Sequence, residues 1–211
     1  TYIMGILNVT PDSFSDGGDY TNIDIAVNHA KEMIELGADM IDLGGESTRP
    51  GHKFVSAEEE ISRIVPVIKR LKEEINVPIS IDTYKSEVAE EALKLGVDMV
   101  NDVWGLTYDG KMADVVAKYD GEVCIMHNQE GTDYDKDIME AIKEFLQNSI
   151  DMALKAGVKK EKIVLDPGIG FGKTYEQNIE VLERLGELRD LGYPILLGTS
   201  RKSVIGNTLN L

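Results

Sequence analysis

Short apolar runs alternate with longer stretches of helical periodicity along the whole chain. Seven runs read as strands: residues 2–8, 40–43, 79–82, 99–101, 123–126, 163–166 and 195–197. Each is rich in Ile, Val, Leu or Met, the pattern of strands buried on both faces of a parallel sheet. Helical patterns fill the gaps at residues 25–36, 56–75, 85–95, 111–119, 136–156 and 174–191, and a further helix starts near Arg201. Ser56 with Glu59 three residues on forms the sequence signature of a capping box. Gly37-Ala38-Asp39-Met40 and Gly96-Val97-Asp98-Met99 repeat one device, a helix ending on Gly with a strand starting soon after. A strand–helix unit repeated this often fits a doubly wound sheet or a (β/α)8 barrel. The 211 residues fall about 40 short of the ~250 a barrel usually takes, roughly one unit. The expected fold is therefore an α/β TIM (β/α)8 barrel with the last βα unit absent from this chain, built as one domain over residues 1–211.

In either architecture the chemistry belongs beyond the C-terminal ends of the strands. All seven predicted strands run there into polar or glycine-rich text. Asn8 opens NVTPDSFSDGG, Gly44 opens GGESTRPG, and the third and fourth strands end on Asp82 and on Asn101-Asp102. His127-Asn128 follows the fifth, Asp166 opens DPGIGFGK, and Gly198 opens GTSRKS. One polar strand end is ordinary; seven together predict a pocket. Asp82, Asn101 and Asp166 supply acceptors and an amide that can read a flat heterocycle rich in N–H donors. Arg49, Arg201 and Lys202 are cations suited to an anion. Asn8 offers a hard oxygen to Mg²⁺, which keeps waters and takes oxygens from a substrate phosphate. The ligand predicted is a heterocycle bearing a phosphate or diphosphate.

Residues 168–174, GIGFGKT, imitate a Walker A loop, but that pattern needs Gly where Pro167 stands, and proline removes an N–H from any phosphate cradle. Blander readings apply elsewhere. His127 fixes a loop rather than acting as a base, Asp102 is a structural hydrogen-bonder, and residues 58–60 are a solvated acidic first turn favoured by the helix dipole. Asp82 has the alternative of capping the next helix, and Trp104 that of belonging to the core.

Composition narrows the function. The chain carries 22 basic and 38 acidic residues, a net charge of −16, which repels phosphate backbones and argues against a nucleic-acid partner. No apolar run is long enough to span a membrane, and no secretory leader pattern is visible. Cys124 is the sole cysteine, so an internal disulfide and a Cys-based zinc site are excluded. Its apolar surroundings predict a buried inert thiol, and one thiol fits a reducing, cytoplasmic setting. The chain does not open on Met, so the natural protein is expected to begin upstream.

The segments GILNVTPDSFSDGG, IDLGGESTRPG, IDTYKSEVAEEAL, VNDVWG, MHNQ, DPGIGFGK and GTSRKSVIG run in order across the chain. Together they resemble the dihydropteroate synthase family. The resemblance implies a TIM barrel that joins 6-hydroxymethyl-7,8-dihydropterin diphosphate to 4-aminobenzoate, releasing diphosphate, in folate synthesis. Carried over by motif, Asn8 contacts Mg²⁺, and Asp82, Asn101, Asp166 and Lys202 hold the pterin, with Asp82, Asp166 and Lys202 as the catalytic group. Arg49 lies near the diphosphate; Thr48, Pro50, Phe14 and Ser203 help form the aminobenzoate site, and Phe171 also lines the substrate pocket. The loops at residues 9–20 and 48–55 are expected to be mobile and to close over it. The family implies a further helix, strand and helix carrying an Arg-x-His diphosphate clamp, neither residue of which lies within these 211, and a homodimer at full length. Two other functions share parts of this pattern. One is a pterin-binding methyltransferase using methyltetrahydrofolate and a corrinoid partner, which should lack SRKS; the other is a non-catalytic binding barrel.

Overall fold

A computed structural model describes residues 1–9, 19–46 and 54–209. Six strands, β1 (Met4–Asn8), β2 (Met40–Gly44), β3 (Ile79–Asp82), β4 (Met99–Asp102), β5 (Glu122–Met126) and β6 (Ile163–Asp166), form one sheet in chain order. Every neighbouring pair is parallel. That order decides between the two architectures: a doubly wound sheet reverses at a switch point, whereas a barrel wall never does. The helices are α1 (Asp19–Glu35), α2 (Ala57–Glu74), α3 (Ser86–Lys94), α4 (Met112–Lys118), α5 (Ile138–Ala156), α6 (Tyr175–Glu183) and α7 (Ser203–Leu209). As expected, α1 and α3 are followed by left-handed Gly37 and Gly96, with φ of 106° and 84°.

The seventh predicted strand is reduced to one bridge. Ile195 pairs with Leu165 in parallel, and Leu196 N–H donates to the Leu165 carbonyl at 2.8 Å. Pairing occurs on one side only, since no eighth strand lies among the described residues, and Leu197 is exposed. The fold is thus a (β/α)8-type barrel wall of six strands and a bridging seventh segment.

Two further details depart from the sequence pattern. The single helix expected over residues 174–191 breaks at Arg184, where α6 gives way to a 3₁₀ stretch, Leu185–Leu191. Gly186 is a poor helix former, and the Arg184 guanidinium is tied at once to Glu180, Glu187 and Asp137 at 2.6–2.8 Å. The capping box lies here rather than at α2: Thr174 accepts from Gln177 N–H while the Gln177 side chain accepts from Thr174 N–H. At α2, Ser56 caps Glu59 N–H at 3.2 Å, but the Glu59 carboxylate turns to Arg63.

The main core lies between the sheet and its helices, with Ile41, Leu43, Ile79, Ile81, Ile125 and Leu146 fully buried. A second, smaller cluster sits near the C-terminal strand ends. There Tyr84, Val103 and Met126 pack with half-buried Trp104 and Phe171. Trp104 thus belongs to an aromatic layer beside the strand-end polar residues.

Candidate active site

Strand register explains how distant residues converge. Asn8, Gly44, Asp82 and Asn101 occupy one hydrogen-bonded row across β1 to β4. Register partners in a parallel sheet point to the same face, so Asn8, Asp82 and Asn101 share the inner face. Gly44 keeps the row open; a Cβ there would lie 3.3 Å from Asn8 Oδ1. Across β5 the row shifts. Asn101 aligns with Cys124 and Cys124 with Val164, so Asp166 stands two residues beyond the row, as strand tilt in a barrel demands.

Asp166 is almost fully buried, and its Oδ1 accepts from Gly168 N–H at 2.7 Å. Burial raises its carboxyl from the usual range to about 6, against the Gly168 bond and the charges of Lys202 and Lys173. Asp166 Oδ2 and Lys202 Nζ both lie within 4 Å of the place a Cβ on Gly198 would occupy, at 3.7 and 3.8 Å. The Lys202 ammonium donates to the Ile169 carbonyl and lies 4.4 Å from the Phe171 ring centroid. Desolvation lowers the Lys202 pKa, and the carboxylates of Asp166 and Asp82 oppose that. Asp82, Asp166, Lys202 and Phe171 are therefore brought together, with Asn101 beside Asp82. Ser203 is exposed at the start of α7. Arg201 is exposed with φ of 56°, a left-handed backbone that is uncommon outside glycine. Phe14, Thr48, Arg49 and Pro50 lie outside the described residues, as do most of the two loops expected to close.

The alternative roles resolve on geometry. Asp82 does not cap α3; the Thr83 hydroxyl accepts from Lys85 N–H at 3.3 Å and Asp109 from Ser86 N–H at 3.0 Å. Asp102 is structural, accepting from Trp104 and Leu106 N–H at 2.9 and 2.8 Å. Cys124 is fully buried, and desolvation with the surrounding carboxylates pushes its thiol up, so thiolate chemistry is closed to it. His127 is buried and held neutral, its pKa lowered to about 3 by desolvation and the nearby Lys173 charge. The Walker-like lysine is no phosphate ligand: Lys173 is buried and bonded inward. Gly168 must be glycine, because a Cβ there would come within 1.9 Å of the His127 carbonyl oxygen.

Two features escaped the sequence reading. Asp42, buried in β2, accepts from Asn101 Nδ2 at 3.0 Å and so sets which way the Asn101 amide faces. The available signal was a carboxylate inside a doubly buried strand, two residues before Gly44 and on the same face. The second is a charge cluster. Lys85 donates to Glu46 and, at 2.6 Å, to Glu60, with all three side chains buried, and Tyr84 Oη donates to Glu46 at 3.1 Å. Glu60 is thus not part of a solvated first turn. It falls on the face of α2 that also buries Ile64, Val67, Ile68 and Leu71, while Glu58 and Glu59 stay exposed. Glu46 also accepts from Val55 N–H at 3.0 Å, joining two described positions in β2–α2 connection.

Comparison with known proteins gives the family. The family model described as pterin binding enzyme matches residues 4–211. A dihydropteroate synthase of Clostridium beijerinckii is 61% identical over 211 residues, covering 100% of this chain and 78% of that one. A crystal structure of the dihydropteroate synthase of Clostridium difficile in the presence of pteroic acid superposes with a TM-score of 0.98 at 73% identity, covering 100% of this chain and 80% of that chain. The Xanthomonas albilineans enzyme with 4-aminobenzoic acid gives 0.93 at 43% identity, covering 99% and 76%.

Proposed function

We propose how the pocket works in a chain that belongs to the dihydropteroate synthase family of pterin-binding enzymes. The reaction joins 6-hydroxymethyl-7,8-dihydropterin diphosphate to 4-aminobenzoate and releases diphosphate, with residues 1–211 acting as one barrel domain. The convergence of Asp166 and Lys202 on the Gly198 position, beside the Asp82–Asn101 row, carries this reading.

Asp166 accepts adjacent N–H groups of the pterin with charge assistance. Asn101, oriented by Asp42, and Asp82 read the rest of its edge. Lys202 donates from the opposite side, and Phe171 with Trp104 offers an aromatic surface. Phe14, Thr48, Arg49, Pro50 and Ser203 complete the aminobenzoate and diphosphate side. Carbon–oxygen cleavage sends the bonding pair to diphosphate and leaves a methylene cation delocalised into the dihydropterin. The arylamine nitrogen then attacks, and its proton is lost to solvent. No enzyme nucleophile is needed, which suits a pocket whose only thiol is buried and whose nearest imidazole is locked.

Among the described residues no group of three His, Cys, Asp or Glu stands at metal-binding spacing. Asn8, exposed at the end of β1, offers a side-chain oxygen of the hard kind that Mg²⁺ takes beside waters and substrate oxygens. When bound, Mg²⁺ supplies positive charge that makes diphosphate a better leaving group. No helix among the described residues is long and apolar enough to cross a membrane. We assign a cytoplasmic setting, which a single unpaired thiol fits, and a homodimer as the assembly.

Calorimetry with pterin diphosphate and Mg²⁺, beside ATP, tests the reading. Pterin diphosphate should bind and ATP should not; tight ATP binding without pterin binding overturns it. Methyl transfer from methyltetrahydrofolate to a corrinoid acceptor would favour the methyltransferase instead.

The raised Asp166 pKa gives a pH dependence with a definite sign. The ligand selects the carboxylate, while the free protein holds a proton there below about 6. Pterin affinity should therefore be flat above about pH 7 and fall about tenfold per unit below pH 6. A flat profile from pH 7 to 5 would separate pterin binding from this carboxyl.

A further inference from the structure

Lys173 is the residue of the Walker-like loop that substrate binding leaves without a role. Its side chain turns back beneath its own loop: Lys173 Nζ lies 3.0 Å from each of the Gly168 carbonyl, the Phe171 carbonyl and His127 Nδ1. The two carbonyls can only accept, so Lys173 donates to both, while the imidazole nitrogen takes its role from the tautomer. The two carbonyls bracket residues 168–171, and these residues touch the site from above. Gly168 N–H donates to Asp166 Oδ1 at 2.7 Å. Lys202 donates to the Ile169 carbonyl, and its ammonium lies 4.4 Å from the Phe171 ring centroid. A Cβ on Gly170 would come within 2.9 Å of Lys202 Cδ.

His127 makes a firm anchor below. Its N–H donates to the Asp166 carbonyl at 2.9 Å, and its ring packs edge-on against Phe145 with centroids 5.0 Å apart. Tyr134, 6.2 Å from the same ring, donates to the Gly172 carbonyl at 2.8 Å. The loop is thus bonded to the end of β5 from inside, and Lys173 is the central bond.

We propose that Lys173 is a positioning residue for Lys202 and Phe171, an internal amine that sets the 168–171 loop on which both rest. The inference rests on the reading of Lys202 as a pterin contact. Removing the amine leaves the Gly168 and Phe171 carbonyls without their donor, and the loop shifts to recover one. A shift of ~1 Å in a binding constellation can cost about two decades.

The test is Lys173→Met, which keeps the stem and removes the donors. Pterin diphosphate with Mg²⁺ is titrated by calorimetry, with urea unfolding in parallel. Kd should rise about tenfold or more. In a Phe171→Leu background the same change should cost clearly less than in the parent, because the part of its effect that runs through that ring is already lost. Full additivity with Phe171→Leu overturns the proposal. So does a lowered unfolding midpoint with Kd in the folded variant within about threefold of the parent value, the behaviour of a purely structural lysine. Should Lys173→Met not fold, Lys173→Gln keeps an N–H donor on a shorter stem and should weaken Kd about three- to tenfold; the parent Kd there also overturns it. A parent protein that binds no pterin diphosphate removes the pocket reading and this inference together, whereas a null result confined to the variants removes the inference alone.

Discussion

Asp166→Asn should weaken pterin binding by about two to four decades, because disrupting a desolvated charged hydrogen-bonded pair costs ~3–5 kcal/mol. The carboxylate can accept two adjacent N–H groups; the amide accepts with one oxygen and turns a donor toward a donor. Stability should move the other way. Burial lifts this carboxyl to about 6, well above the usual carboxylate range, so the free protein spends up to about 3 kcal/mol keeping it charged at pH 7. A group raised in this way contributes fully below its unfolded pKa and loses that contribution as pH rises through about 6. The amide escapes that loss and can still accept from Gly168 N–H. Calorimetry and urea unfolding together should show weaker binding in a protein at least as stable as its parent. A loss below about threefold in a folded variant would take Asp166 out of the pterin site.

Lys85→Met should destabilise the fold by about 3–5 kcal/mol, the usual cost of leaving buried charge without its partner. Lys85 serves two buried carboxylates at once, Glu46 and Glu60. Without it they face each other across low-dielectric space. Desolvation already raises the Glu60 pKa while Lys85 opposes the rise, so in the variant the proton is held more tightly still. The deficit should therefore shrink as pH falls from 8 toward 5, because the folded variant takes up protons that the unfolded chain does not. Adding Glu46→Gln and Glu60→Gln should restore part of the loss at neutral pH. Urea unfolding across that range reads both effects. A change under about 1 kcal/mol at pH 8 would mean that water already screens the cluster. The same cluster joins β2, α2 and α3 beneath the aromatic pair Phe54 and Tyr84, whose rings lie 5.1 and 4.8 Å from the Lys85 ammonium.

Strand positions, their parallel arrangement and the side of the barrel that carries chemistry were all legible in the order of residues. The reason is local. A strand buried on both faces must be apolar along its length, and polar residues crowd where it leaves the sheet, as Asn8, Asp82, Asn101 and Asp166 do. Helix ends were legible at Gly37, Gly96 and Gly157 because a left-handed residue there needs no knowledge of its neighbours. What only the tertiary structure decided depends on partners far along the chain. Glu60 reads as a solvated residue of an acidic turn until α2 is laid against α3, where Lys85 lies 25 residues on. Asp42 reads as one polar residue in an apolar run until β2 is registered near β4 and Asn101, 59 residues away, bonds to it. Pro167 rules out a Walker cradle from the sequence alone, but where the lysine of that loop goes is decided by His127, 46 residues earlier. The segment around Ile195 has strand composition, yet in the folded chain it keeps a single bridge, to Leu165. Composition and periodicity report whether a residue is buried; which charge meets which is set by the closure of the sheet, where Coulomb energy in a low-dielectric interior depends on a few ångströms that only the folded chain determines.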